Sequence, residues 1–416
     1  MITKLRGRIG IFYPWGNLET LPCLRDAAML LVNSGYTVEF YTLHEDDFPL
    51  PDFRQERITV ITDHPGVFTQ AGVKLPRWTF GRGGRPYSWF ITKCCRPLWR
   101  QFFFERELCR RHAALPYKCF IGMDPEGLID AAPLAKRLGI PFIFWSLELR
   151  FAEDSLTKRQ RTLKTQEIQI SRQADIVIIQ DKWRAKAIIE ENGFNPAKIM
   201  LVPNSPIGKA RRAPGNYIRE QLGIPPNRKI VLCAGTIRWW AMSQEIVEAA
   251  NSWPENYILV MHSRQRSYTY GSEYVKKIVE MADPQHVIVT FHPTSSEEYR
   301  SLVDSADIGL ALYNPFLPMS SAKPDRNLEF MGFSSGKLAA YLHCGLPVIV
   351  NQSTGPKELI NEYHCGICVT QLSEISNALG TILKHYDEYS ANACRCFNER
   401  LEFSQYFIKV IKWLEE

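Results

Sequence analysis

The chain lacks any apolar run near the ~20 residues that a membrane-spanning helix needs. Runs such as IPFIFW and KIVLCAG end far short of that length. The opening MITKLRGRIGIFYPW has neither the long apolar core nor the small-residue cleavage site of a secretory leader. Together these absences set the expectation of a cytoplasmic protein that does not span a membrane. No Gly-x-Gly-x-x-Gly follows the first strand-like run, which disfavours a dinucleotide cofactor. No Asp-x-Asp stands at a strand end, so no metal-held diphosphate and no bound metal are expected. Composition gives no sign of disorder, collagen or coiled coil, and no short repeat is visible. Eleven cysteines are an odd count in a long chain, and most sit in apolar stretches where a thiol acts as a small buried hydrophobe. Cys365 and Cys368 form a Cys-x-x-Cys, but only His364 stands near them as a further ligand, and the segment reads as a buried strand.

What is present points to two α/β domains. A length of 416 residues exceeds what one hydrophobic core usually serves. Strand-like runs alternate with helical patterns, as in parallel sheets with crossover helices. RIGIFY, TVEFYTL, YKCFIGM, IPFIFW and ADIVIIQ mark the first set of strands, and KIVLCAG, NYILVMH, HVIVTF, ADIGLALY and GLPVIV the second. NSPIGKARRAPGNY has linker composition, which places one domain over residues 1–204 and another over 205–397. ERLEFSQYFIKVIKWLEE predicts a helix over about 398–416, expected to cross back onto the first domain. The fold class is therefore two Rossmann-like, doubly wound domains facing a central cleft, where open α/β sheets bind ligands.

The most informative stretch is NLEFMGFSSGKLAAYLHCGLPVIV. Ser334, Ser335 and Gly336 precede Lys337 where a helix begins, and free amides, hydroxyls and an ammonium at a helix start make a seat for a diphosphate. A serine cap with a solvated lysine is the plainer alternative. The stretch resembles the donor signature of family-four-type glycosyltransferases of the GT-B fold, through Ser334, Lys337, Leu338, Tyr341, Gly345, Pro347 and Val348. The segments DIVIIQDKWRAKAIIEENGFNPAKIMLVPNSP, HVIVTFHPTSSEEYRSLVDSADIGLALY and PKELINEYHCGICV extend the likeness over most of residues 120–370. The resemblance implies transfer of a sugar from a UDP- or GDP-type nucleotide-diphosphate donor to a glycan or lipid-linked acceptor. It implies retention of configuration and a role in building surface polysaccharide, with the nucleotide sugar as co-substrate.

Two glutamates usual in that family fall at Gly332 and Ala340, and Arg238 is the one cation near AGTIRWWAMS. This departure leaves a non-catalytic sugar-nucleotide-binding subunit open, and more remotely a sugar-nucleotide epimerase. Arg238 and Lys337 are expected to neutralise a leaving diphosphate. At first-domain strand ends, Glu148 and Asp124 are candidate acid–base groups, with helix capping the alternative for Asp124. Retaining transfer of the family type needs no such base. His262, Arg264, His292 and Tyr313 stand at second-domain strand ends. By resemblance His292 lies near the nucleobase, with Glu329 and Glu358 near the ribose or sugar.

RWTFGRGGRPYSWFITKCCRPLWRQFFFERELCRRH interleaves cations with aromatic rings. Trp78, Arg82, Arg85, Trp89, Arg96, Trp99 and Arg100 fit a membrane-surface or acceptor-binding segment. A helical cover over the first sheet is the alternative, and nucleic acid is not expected as a partner. The formal charge of +6 is compatible with anionic ligands.

Overall fold

The computed structural model describes residues 5–43, 50–62, 96–155, 157–264, 273–314, 326–353 and 355–416, with side chains of the helix at 96–114 described from Phe104 onward. The first sheet contains β1 (Gly7–Phe12), β2 (Tyr36–Tyr41), β3 (Ile58–Ile61), β4 (Tyr117–Met123), β5 (Phe142–Trp145), β6 (Ile176–Ile179) and β7 (Ile199–Leu201). Its order is β3-β2-β1-β4-β5-β6-β7, and every pairing is parallel. The second sheet contains β8 (Lys229–Ala234), β9 (Tyr257–Ser263), β10 (Val287–Phe291), β11 (Ile308–Ala311), β12 (Val348–Asn351) and β13 (Gly366–Val369). It runs β10-β9-β8-β11-β12-β13, again all parallel.

The runs of Val, Ile and Leu in these strands follow from this layout, because helices cover both faces of each sheet. β5, β6 and β11 are buried at every position. In both sheets the strand order reverses beside the first strand, at β1/β4 and at β8/β11. A parallel α/β sheet opens a crevice beyond its strand C-termini at such a switch point.

The C-terminal helix, Phe403–Glu415, lies on the first domain. Its Phe403, Phe407, Val410 and Ile411 join the core of the first sheet, with the Phe407 ring 5.7 Å from that of Trp145. Tyr36 donates to the Leu414 carbonyl at 3.1 Å. The single helix expected from about 398 is in fact two, Tyr386–Arg400 and Phe403–Glu415. Glu402 breaks it. Its backbone is extended and its carboxylate caps the second helix by accepting from the Gln405 amide, while also accepting from Gly208 of the linker.

Candidate functional site

Between the two sheets lies a cavity of about 660 Å³. Its second-domain wall begins where β8 ends, at Ala234, Gly235 and Thr236, and continues through Tyr313 to Ser334, Ser335, Gly336 and Lys337. The last residues enter the helix Gly336–His343, capped by Ser335, whose Oγ accepts from the Leu338 amide. Ser335 Oγ also meets the Tyr313 hydroxyl at 2.5 Å, and the Lys337 ammonium sits 4.6 Å from the Tyr313 ring centroid. Tyr341 locks the helix to the sheet by accepting from the Ala234 amide at 2.8 Å. Serine capping and a lysine at the cavity wall thus coexist here. The cap uses one amide, and the lysine projects into the cavity wall with the positive end of the helix behind it.

The opposite wall comes from the first domain and the linker: Asn17, Thr20, Arg25, Asp26, Glu148 and Asn204 all contribute. Glu148 follows β5 in a loop held from below by Asp124. The Asp124 Oδ1 accepts from the amides of Leu147 at 2.8 Å and Glu148 at 3.0 Å. Asp124 itself is buried, outside the cavity wall, with φ at 52°. Burial, and next the charge of Glu148, push its carboxyl up from 3.8 to about 7. Its side chain is spent on the backbone amides of Leu147 and Glu148 and does not cap the helix it begins. Glu126 is likewise occupied, 2.7 Å from Arg150.

Asp26, which no sequence pattern marks, has one oxygen 2.8 Å from the Ile207 amide of the linker, and burial pushes its carboxyl up to about 6. A second unmarked group closes the domain interface. Asp181 caps the helix Lys182–Asn192 through Oδ1, and its Oδ2 accepts from Phe333 of the other domain at 2.8 Å. Gly332 makes this approach possible. A Cβ there would stand 1.9 Å from Asp181 Oδ2, and the residue has φ at 48°. In sequence, an Asp between a strand and a helix shows only as a cap.

Of the remaining candidates, Arg264 lines the cavity with Tyr313, donating to the Thr294 carbonyl at 2.5 Å and lying 5.1 Å over the Tyr299 ring. His262 is fully buried behind the wall, its Nδ1 2.9 Å from Thr290 Oγ1 and its ring 4.9 Å from that of His292. Burial, then His292 and Arg264, push it down to about 3, so it stays neutral. Neither His262 nor His292 is on the cavity wall. Arg238 is half-buried outside the wall, its amide and carbonyl both bonded to Ser243 Oγ; Thr236 and Trp240 stand in the wall instead. Glu329 is exposed and off the wall. Glu358 is half-exposed, also off the wall and 3.5 Å from Lys182. The structure thus brings Glu148, Arg264, Tyr313, Ser334, Ser335, Gly336 and Lys337 together, and leaves Asp124, Arg238, His262, His292, Glu329 and Glu358 outside. Trp78, Arg82, Arg85 and Trp89 lie outside the described residues, as do the side chains of Arg96, Trp99 and Arg100. Among the described residues no three His, Cys, Asp or Glu side chains cluster to hold a metal.

Residues 299–412 match the model of the glucosyltransferase 3-like C-terminal domain. The chain superposes on Anabaena HepE, solved with UDP and glucose, with a TM-score of 0.67 and 14% identity over 99% of this chain and 100% of that one. Sucrose-phosphate synthase of Thermosynechococcus elongatus gives 0.65 and 15% over 99% and 98%. WaaG, a glycosyltransferase involved in lipopolysaccharide biosynthesis, gives 0.61 and 14% over 95% and 96%. No curated protein sequence matches the chain significantly. The architecture shared with these structures is that of GT-B glycosyltransferases, and in its last third the chain is similar to the glucosyltransferase 3-like C-terminal domain.

Proposed function

We propose that the protein is a glycosyltransferase that takes a sugar from a nucleoside-diphosphate donor, of UDP type, and passes it to a hydroxyl of a glycan or lipid-linked acceptor. The observation that carries this reading is the cavity wall at Ser334–Lys337, where a helix start and an ammonium face Glu148 across the cleft. As the bond from the sugar to the diphosphate breaks, negative charge develops on the leaving oxygen. Lys337 and the helix amides are pre-aligned to stabilise it, which is the largest electrostatic demand of the reaction. HepE has been solved with UDP-glucose, which supports the choice of donor. Retention of configuration without a metal ion, and work on surface polysaccharide at the inner face of the cell membrane, complete the proposal.

Calorimetric titration with UDP, GDP and ADP tests it. UDP is expected to bind, and Lys337→Ala to weaken binding tenfold or more, since a charged hydrogen bond contributes roughly 1.5–3 kcal/mol. Binding of none of the three, or equal binding by the variant, overturns the assignment of the seat. A non-catalytic nucleotide-sugar-binding subunit is the second reading, favoured by Gly332 and Ala340 at the glutamate positions. Donor binding without any donor hydrolysis or transfer would select it.

A further inference from the structure

Arg184, from the first domain, is 1% exposed and spends all five of its N–H donors. Nε donates to Gln180 Oε1 at 2.7 Å, and Nη2 to the Leu147 carbonyl at 2.7 Å, both within its own domain. The other three cross the interface. Nη1 reaches the Phe330 carbonyl at 2.9 Å and Ser334 Oγ at 3.3 Å, and Nη2 reaches Asn327 Oδ1 at 3.1 Å. Asn327 in turn accepts from the Leu149 amide at 2.9 Å and donates to Glu148 Oε2 at 2.5 Å. One guanidinium therefore touches the start of the phosphate seat at Ser334, and through Asn327 it reaches the carboxylate on the facing wall.

Such a group is an expensive way to glue two domains. Among the described residues it forms no ion pair, and its charge is offset only at longer range by Glu148, Asp181 and Asp124. Burying a charge without a contacting counter-ion costs more than apolar packing of the same volume. What a guanidinium supplies, and an apolar side chain or an ammonium does not, is a rigid planar fork of five donors.

We infer that Arg184 is a positioning residue that fixes the donor seat of the second domain against Glu148 of the first, with Asn327 as its relay. This rests on the donor reading proposed above. Nucleoside-diphosphate binding, formally a property of the second domain, then depends on a first-domain side chain. Arg184 orders the seat through Phe330 and Ser334, whereas Asn327 orders only the Glu148 side.

The test compares wild type, Arg184→Lys and Asn327→Ala by two measurements. Calorimetry with UDP, GDP and ADP is expected to show affinity reduced tenfold or more in Arg184→Lys and within about twofold of wild type in Asn327→Ala. In the latter, donor turnover falls tenfold or more at nearly unchanged KM. Amide hydrogen exchange, read without any ligand, is expected to quicken at Asn204 and Phe333 in Arg184→Lys and at Leu149 in both variants. Unchanged exchange in Arg184→Lys overturns the inference whether or not nucleotide binds. Quickened exchange with wild-type affinity reduces Arg184 to a structural strut and overturns it too. Failure of wild type to bind any of the three nucleotides, with exchange altered as expected, refutes the donor reading and leaves the ordering of the loop by Arg184 established.

Discussion

Asp124→Asn separates a buried brace from a proton carrier. Both amides that Asp124 receives, from Leu147 and Glu148, go to the same oxygen. An asparagine in the same rotamer therefore keeps both bonds, and asparagine tolerates the positive φ of 52°. What it removes is a charge in a fully buried place. The carboxyl of Asp124 titrates near 7 in the folded chain against 3.8 when unperturbed. The sign follows from that rise. Between those two values the folded chain holds a proton that the unfolded chain has lost, so the stabilising contribution of the group is complete below about 4 and disappears as pH rises through 7. Each unit of separation is worth 1.36 kcal/mol, so the variant should gain on wild type by about 2–3 kcal/mol between pH 5 and pH 8.

Thermal melts of both proteins across pH 5–8 measure this, with the gap in Tm expected to widen by several degrees toward pH 8. Asp124→Ala is the contrast. It leaves two amides without their acceptor, at about 1–3 kcal/mol each, and it places alanine at a left-handed φ, so it should be destabilised at every pH. A gap between wild type and Asp124→Asn that does not change with pH would refute the buried charge. Loss of transfer by a folded, stable Asp124→Asn would refute the brace and return Asp124 to the reaction.

Transfer should persist in excess EDTA if Lys337 and the helix start supply the positive charge; abolition by EDTA with rescue by Mn²⁺ would overturn the metal-independent reading. If the basic aromatic segment around Trp78–Arg100 meets a bilayer, the chain should pellet with anionic liposomes at low salt and lose that binding at high salt, since the attraction decays over a Debye length. Equal, negligible pelleting with anionic and neutral liposomes at both salt concentrations would assign the segment to covering the sheet.

The alternation of strands and helices was readable because both sheets are parallel and covered on both faces, which makes most strands largely apolar runs. The stretch of cavity wall from Ser334 to Lys337 was readable because its residues are contiguous. The rest was legible only in part: Glu148, Arg264 and Tyr313 stand at strand ends, while the remaining wall is assembled from loops and helices distant in the chain. Asn17, Asp26, Asn204 and Asn327 acquire meaning only when two domains face each other. Arg184 was hidden more deeply still. It lies in DKWRAKAIIEE, a stretch with the composition of an exposed helix, and nothing local indicates that its side chain turns inward to meet the carbonyl of residue 330. The Glu358 position illustrates the converse. The family resemblance puts it near the ribose or sugar; the helix Pro356–Tyr363 holds it half-exposed beside Lys182, off the cavity wall.

The two missing glutamates differ in kind. At Gly332 a side chain is excluded. Its Cβ would overlap the Asp181 carboxylate, and the Cβ position of Gly355 lies 2.5 Å from the Gly332 Cα, so that partner must also be glycine. The bond from Phe333 to Asp181 is part of the same arrangement. A glutamate at 332 would thus require the interface to open, and no single substitution restores it. At Ala340 the side chain is merely short. It lines the cavity beside Arg300 and His343, whose facing nitrogens are 3.5 Å apart, and the imidazole is held neutral by burial, then by the charge of Arg300. This end of the cavity is therefore lined by an arginine and a neutral imidazole where the resembled family carries a carboxylate. On the donor reading proposed above, the chemistry at the reacting carbon would fall to Lys337 and to Glu148, whose carboxylate accepts from Asn327.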